Sequence, residues 1–157
     1  MHTLVKFIVT AENAEEANNQ ADYAVSELVE QREFDWYHEG QDSPWEECWQ
    51  PIRLSEEKAK ALVQEAIDEQ FREFKDTLAT IRFMLAKHTD EQIFNGRFDQ
   101  STYDRHLSRY QFTVAGGYGV SHALYGEDGC AIINQRELDS YLDEPKGLWV
   151  VQVDCHS

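Results

Sequence analysis

The sequence predicts an α+β fold in which strands from both ends of the chain share one mixed or antiparallel sheet, with a helical block between them. Three observations favour it: a β-rich segment near the start, a long stretch of helical spacing in the middle, and another β-rich segment near the end. A ferredoxin-like core with a helical insertion over about residues 54–109 is one topology that fits this order. The length of 157 residues, 41% of them hydrophobic, predicts a single domain over residues 1–157.

The first elements are a strand followed by a helix. Residues 4–10 are rich in β-branched and aromatic side chains that alternate between two faces, which predicts an interior strand. Asn13, with Glu16 three residues later, fits a capping box at the start of a helix. Alanine and other apolar residues then recur at helical spacing to about residue 30. The apolar stripe is mostly alanine, so this helix can lie close against a sheet while its carboxylates face water.

The middle of the chain is predicted to be mostly helical. Residues 34–39 fit a second short strand, and a turn and a loop follow it as far as Pro51. Ser55 is predicted to cap a long helix that continues to about His88, because apolar residues recur at three-and-four spacing. At about 1.5 Å rise per residue this helix approaches roughly 50 Å, which exceeds what a domain of this size usually buries. We therefore expect it to break or to project, and a projecting helix could join two copies in a homo-oligomer.

The remainder of the chain predicts several shorter elements. Capping boxes, period-two alternation and glycine turns mark them. They are a short helix capped by Thr89, a strand at residues 110–114, a hairpin over 120–133 around the turn 126–129, a helix capped by Asn134, and a strand at 148–153. Asp154, Cys155 and His156 lie at a chain end that we expect to fray.

The charge of the chain is strongly negative and unevenly distributed. The formal net charge is -16, of which residues 1–50 carry -10, residues 51–110 carry -1 and residues 111–157 carry -5. Such a surface keeps a protein soluble. It could also dock a basic partner or imitate a nucleic-acid backbone if the carboxylates line one rigid face.

The composition also excludes several classes of protein. A chain this acidic is not expected to bind a nucleic-acid backbone directly or to approach an anionic membrane. No apolar run has the length of a membrane span, and the first residues lack the pattern of a signal peptide. The three cysteines show no disulfide framework or CxxC spacing. We therefore expect free thiols and a cytoplasmic location.

The segment from Phe34 to Trp49 is the strongest candidate for a binding site. It carries three of the four tryptophans among carboxylates, with Arg32 as a neighbouring base. Aromatic rings flanked by carboxylates suit a basic peptide or a cationic ligand, although the same rings could simply cover the core beneath a loop. The candidate binding residues are Trp36, Tyr37, Trp45, Trp49, Glu46 and Glu47.

No metal or cofactor site is predicted. Potential ligands cluster from His38 to Cys48, but no two histidines have helical ligand spacing and no thiolate pair is present. Residues 42–47 lack the pattern of a calcium loop. The glycine-rich segment 116–119 lacks the lysine and the following helix of a phosphate loop.

A weaker candidate site lies at the glycine-rich hairpin. A nucleophile needs a base within hydrogen-bond reach, and His122, Tyr125 and Cys130 lie close together along this predicted hairpin. Ordinary packing of a small thiol is the simpler interpretation of Cys130.

The sequence thus favours a noncatalytic acidic protein that engages a basic protein partner. In the most specific version of this hypothesis, the acidic surface imitates a nucleic acid. The alternative is a small enzyme or ligand-binding protein with a pocket around His122.

Overall fold

A computed structural model describes residues 2–38, 45–95 and 123–156. The helices and strands within these residues are, in chain order, β1 (His2–Thr10), α1 (Ala14–Glu30), β2 (Trp36–Tyr37), β3 (Ile52–Arg53), α2 (Glu57–Lys87), α3 (Asp90–Asn95), β4 (Leu124–Gly126), α4 (Gln135–Asp143) and β5 (Leu148–His156). The predicted strand at 110–114 and the segment 116–122 lie outside the described residues. The α+β class is confirmed.

The sheet is built around the two strands from the ends of the chain. Among the described strands the order is β2-β5-β1-β4. β3 also pairs with β5. β1 and β5 are antiparallel over nine residue pairs, from His2 with His156 to Thr10 with Leu148. β4 is parallel to β1, so the sheet is mixed. The chain order departs from the ferredoxin-like β-α-β-β-α-β order because β4 and α4 precede the last strand.

One face of the sheet packs against α1. The odd-numbered residues of β1 and β5 form this face with the alanine stripe of the helix. Its fully or almost fully buried members include Val5, Phe7, Val9, Val151, Val153, Cys155, Ala17, Ala21 and Ala24. Because alanine adds little bulk, the helix lies directly on the strands, as its sequence predicts.

The opposite face packs against the first half of α2 and against α4. Ile8 and Val150 represent the central strands in this second core. Val63 and Ala66 enter it from α2, and Leu138 enters it from α4. The first compact unit therefore has three layers, with a sheet between helices.

The predicted capping boxes are present at three helices. At α1 the Asn13 side chain accepts a hydrogen bond from the Glu16 amide at 3.0 Å. The same arrangement starts α4, where Asn134 accepts from the Glu137 amide at 3.0 Å. Thr89 likewise accepts from the Gln92 amide at 3.3 Å ahead of α3. Local side-chain chemistry thus sets these helix starts.

The long helix α2 belongs to two compact units. The first unit comprises residues 1–70 and 122–157, and the second comprises residues 71–121. Apolar side chains of α2 are buried up to Ile67. Beyond that point Phe71 is 58% exposed and Leu85 is 53% exposed. None of the described helices has both the length and the apolar character needed to cross a membrane.

The buried thiol of Cys155 makes the stability of the fold sensitive to alkaline pH. Burial, then the nearby Asp154 and Cys48, raise the pKa of Cys155 from 9.0 to about 12. Burial also raises the pKa of Tyr125 above its ordinary 10.0. The folded state therefore keeps protons that the unfolded chain releases, and unfolding becomes easier as pH rises through this range.

We expect the free energy of unfolding to fall as pH is raised from 9.0 towards about 12. Urea denaturation over a pH series measures this fall. Cys155→Ala should make it shallower, and Tyr125→Phe should do so only above the ordinary pKa of 10.0. An identical fall in Cys155→Ala and in the parent would contradict this account.

Candidate functional site at one end of the sheet

The second face of the sheet changes from apolar to polar towards one end. Beyond Ile8 and Val150, strand alternation and the β1–β5 register place Lys6 opposite Gln152, and Leu4 opposite Asp154. All three polar side chains are buried, and Asp154 is 0% exposed. A row of polar groups therefore continues the same face on which α2 and α4 pack.

Three strand ends meet at this polar end. His2 begins β1, and it pairs with His156, which ends β5. Trp36 of β2 pairs with His156 from the other side. Paired residues of neighbouring strands project to the same face, so these three side chains lie together.

His38 is held in the same place by backbone hydrogen bonds. Its amide donates to the Asp154 carbonyl at 2.9 Å, and the Asp35 amide donates to the His156 carbonyl at 2.7 Å. The Trp49 indole Nε1 also donates to the carbonyl of His38 at 2.8 Å. The position of the His38 ring thus follows from β5 and from the Trp49 loop.

Asp154 lies between two histidines. His2 Nδ1 is 3.0 Å from Asp154 Oδ1, and His38 Nε2 is 3.6 Å from Asp154 Oδ2. The exposed fraction of the side chains is 43% for His2, 27% for His38 and 0% for Asp154. Removing an ionised carboxylate from water is costly unless it is paired and hydrogen-bonded, so the two imidazoles provide compensation for this burial.

Aromatic rings surround this pair of histidines. The Trp36 ring stacks on His156 at 5.0 Å between centroids and meets His38 edge-on at 4.8 Å. His2 stacks on His38 at 5.8 Å, and Trp45 lies edge-on to His2 at 6.0 Å. We call His2, Trp36, His38, Trp45, Asp154 and His156 the His-Trp cluster.

The cluster contains a possible set of metal ligands. Within the residues that the structure describes, the donor atoms of His2, His38 and Asp154 lie within 4.8 Å of one another. Lys6 lies further along the same row of buried polar side chains. Burial lowers the pKa of Lys6, and the charges of Glu69 and Glu65 oppose this shift. The Lys6 Nζ donates to the Leu4 carbonyl at 3.4 Å.

The six predicted binding residues divide between two sides of the sheet edge. Tyr37 and Trp49 are partly buried against the α1 core and touch each other at 6.3 Å between ring centroids. Trp36 and Trp45 instead belong to the His-Trp cluster, and Trp36 is 41% exposed. The two remaining predicted residues, Glu46 and Glu47, are exposed. The core-covering interpretation therefore fits Tyr37 and Trp49, whereas binding by Trp36, Trp45, Glu46 and Glu47 stays a prediction.

The α1 helix is joined to this segment by specific contacts. The Tyr37 hydroxyl donates to the Asp22 carboxylate at 2.9 Å. The Asn18 side-chain amide donates to the Trp49 carbonyl at 3.1 Å. These bonds connect α1, the most acidic of the described helices, to residues Tyr37 and Trp49 within one unit.

The candidate catalytic residues of the hairpin occupy different environments. Tyr125 is buried in the α1 core, where it stacks on Phe7 at 5.7 Å. Cys130 is exposed, and its hydrogen bond to Asp128 and the charge of Asp128 raise the pKa of its thiol. His122 lies outside the described residues. The hairpin itself is present from residue 124 to 132.

One expectation about this end of the molecule is wrong. We expected Asp154, Cys155 and His156 to fray, but β5 extends through His156 and pairs with both β1 and β2. His2 was not singled out from the sequence either. One sequence signal could have indicated the other members of the cluster. Asp154 and His156 are two residues apart, as are Trp36 and His38, and this spacing puts each pair on one face of a strand.

The three free cysteines differ in accessibility, which gives a simple test of the fold. Cys48 and Cys155 are buried whereas Cys130 is exposed, so we expect a thiol reagent to modify one thiol in the folded protein and all three in urea. Asp128→Asn should speed this reaction at neutral pH, because the thiol pKa falls and more thiolate is present. Reaction of all three thiols at similar rates in the folded protein would refute the buried positions.

Comparison with known proteins places the chain in a family. No curated protein and no solved structure matches it significantly. A protein-family model described as a domain of unknown function (DUF7995) matches residues 1–157. The match covers the strands, helices and cluster described above, and the chain therefore belongs to the DUF7995 family.

Proposed function

We propose that the protein is a noncatalytic interaction protein that engages a basic protein partner through α1 and the described residues 35–38 and 45–49 beside it. The observation that carries the proposal is the pair of hydrogen bonds that join these segments, from Tyr37 to Asp22 and from Asn18 to Trp49. They connect two regions that are each rich in exposed carboxylates. Asp22 and Glu30 are exposed on α1, and Glu46 and Glu47 are exposed in the loop.

Exposed rings accompany these carboxylates. Tyr23 on α1 is 62% exposed, and Trp36 on the edge strand of the described sheet is 41% exposed. Large aromatic side chains are enriched among the residues that dominate binding energy, and their faces attract Lys and Arg. A basic surface could thus gain both ionic attraction and apolar contact here.

The spacing of charge favours a protein docking surface over imitation of duplex DNA. α1 carries five carboxylates over 17 residues, which is about one per 5 Å at the helical rise of about 1.5 Å. Duplex DNA carries one charge per about 1.7 Å of its axis. The helix is therefore about three times sparser in charge than the duplex it would imitate.

We further propose that this interaction takes place in the cytoplasm. The proposal is supported by the three unpaired cysteines, because a reducing compartment keeps thiols in that form. The alternative function, an enzyme or ligand-binding protein with a pocket around His122, concerns residues outside the described part of the chain and stays a prediction.

Affinity capture from the native cell extract at low and high salt identifies the partner, which should be basic and should be lost as salt rises. With that partner purified, Trp36→Ala should weaken binding by about 30-fold, the equivalent of the roughly 2 kcal/mol of an aromatic hot spot. Glu46→Gln with Glu47→Gln should weaken it further and reduce its salt dependence.

The matched control removes the same number of charges elsewhere. Asp143→Asn with Glu144→Gln, both at exposed positions near the end of α4, should leave binding close to that of the parent. Circular dichroism checks that each variant folds. The proposal is overturned if no partner is captured at either salt concentration, or if the control variant and the Glu46/Glu47 variant lose binding affinity equally.

We also propose that the second half of α2 mediates self-association. Phe71, Phe74, Phe83 and Leu85 are each more than 40% exposed on this part of the helix. At about 100° per residue, Phe71, Phe74 and Leu85 lie on one side of the helix. Contiguous exposed apolar side chains commonly mark contact surfaces.

Sedimentation at increasing protein concentration should show a dimer or larger species if this is correct. Phe71→Gln with Leu85→Gln keeps helix-forming residues and should shift the protein to a monomer. A parent protein that is monomeric at every concentration would rule out self-association through α2.

A further inference from the structure

We propose that His2, His38 and Asp154 form a binding site for a divalent transition-metal ion, with Zn²⁺ as the occupant that fits best. The inference does not rest on the proposed protein interaction, because its three ligands are His2, His38 and Asp154 and none of the exposed surface carboxylates. It begins from the approach of three potential donor atoms to within 4.8 Å of one another.

Two of the distances between donor atoms lie near what a shared ion requires, and they involve different oxygens of Asp154. In a tetrahedral zinc site, nitrogen and carboxylate ligands lie at about 2.0–2.2 Å from the metal, which puts neighbouring donor atoms about 3.3 Å apart. His2 Nδ1 and Asp154 Oδ1 are 3.0 Å apart, and His38 Nε2 and Asp154 Oδ2 are 3.6 Å apart. The second distance is too long for a good hydrogen bond. With one donor atom from each residue, the members of the set lie within 4.8 Å of one another, and rotation of the side chains would close this span when all three bind one ion.

The burial of the three side chains forms a gradient towards solvent. Asp154 is 0% exposed at the base, whereas His38 and His2 are 27% and 43% exposed. A divalent ion would neutralise the buried carboxylate, and the exposed side would leave room for water as a further ligand. Catalytic zinc sites keep such an open position for water, whereas structural zinc sites are closed by four protein ligands.

The backbone holds the three ligands in place before an ion arrives. His2 and Asp154 lie on adjacent paired strands, with Leu4 opposite Asp154. The amide of His38 donates to the carbonyl of Asp154 at 2.9 Å. The rings of Trp36 and Trp45 pack around the imidazoles. Ligands on paired strands lose little freedom when the ion binds, which favours affinity.

The chemistry of the donors determines which ion fits. Two imidazoles and one carboxylate suit zinc, iron, cobalt, nickel or copper, whereas Mg²⁺ and Ca²⁺ prefer oxygen ligands. The many surface carboxylates would attract Mg²⁺ and Ca²⁺ instead. Competition between the two kinds of ion therefore separates this site from the acidic surface.

The test uses the full chain without a histidine tag, freed of metal by a chelator. Zn²⁺ affinity is measured by competition with a chromophoric chelator, and Co²⁺ reports ligand geometry through its visible absorption. We expect one tightly bound ion per chain that a large excess of Mg²⁺ does not displace.

The variants distinguish the proposed ligands from a surface carboxylate. His38→Ala and Asp154→Asn should each weaken Zn²⁺ binding by more than about 100-fold, since changes outside the ligand shell already cost about 10- to 100-fold. Asp143→Asn removes an exposed carboxylate near the end of α4, outside the His-Trp cluster, and should bind Zn²⁺ almost as well as the parent.

His38 is partly exposed after a short edge strand, so His38→Ala should fold even if Asp154→Asn does not. Circular dichroism establishes which variants are folded. Absence of competitive Zn²⁺ binding by the parent, or undiminished affinity in folded His38→Ala, would overturn the proposal.

Discussion

The antiparallel pairing of β1 with β5 is the interaction on which the rest of the structure depends. It joins the two ends of the chain over nine residue pairs and separates the two hydrophobic cores. Each fully buried aliphatic or aromatic side chain on these strands contributes about 1.5–3 kcal/mol by leaving water. Every other described strand pairs with one of these two. Loss of the β1–β5 register would therefore disrupt both hydrophobic cores and the His-Trp cluster together.

The register also explains why a polar group is buried at one end of an apolar sheet. A slip by one residue would move Asp154 to the α1 face and a core valine to the polar face. The buried carboxylate is instead matched by imidazoles that come from β1 and from the segment after β2. Such a group costs stability unless it is compensated. Its retention in the interior is the physical reason to look for a ligand there.

Much of the fold was predictable because its determinants are local. The capping residues Asn13, Thr89 and Asn134 act within their own helices, and the long helix begins and ends within two residues of its predicted bounds. The sharing of one sheet by the two terminal strands was also expected from the order of the elements. The parallel pairing of β4 with β1 was not predicted, because a three-residue strand carries too little pattern to specify its partner.

The candidate site was predicted only in part, because its members are far apart in sequence. The tryptophan segment stands out by composition, but strand alternation sends Trp36 and Tyr37 to different faces. His2 and Asp154 are 152 residues apart. They become recognisable as partners only after β1 and β5 are paired through their last residues, where polar side chains weaken the strand signal.

The central claim is that β1 and β5 remain paired to their ends, so that His2 lies beside His156 and Trp36. Nuclear Overhauser effects between the ring protons of these three side chains in the folded protein test it most directly. We expect cross-peaks from His2 to both His156 and Trp36, since the ring centroids are 5.4 and 5.6 Å apart. If the rings of His2 and His156 show cross-peaks only with their sequence neighbours, the result contradicts the pairing of β1 with β5 and the cluster built on it.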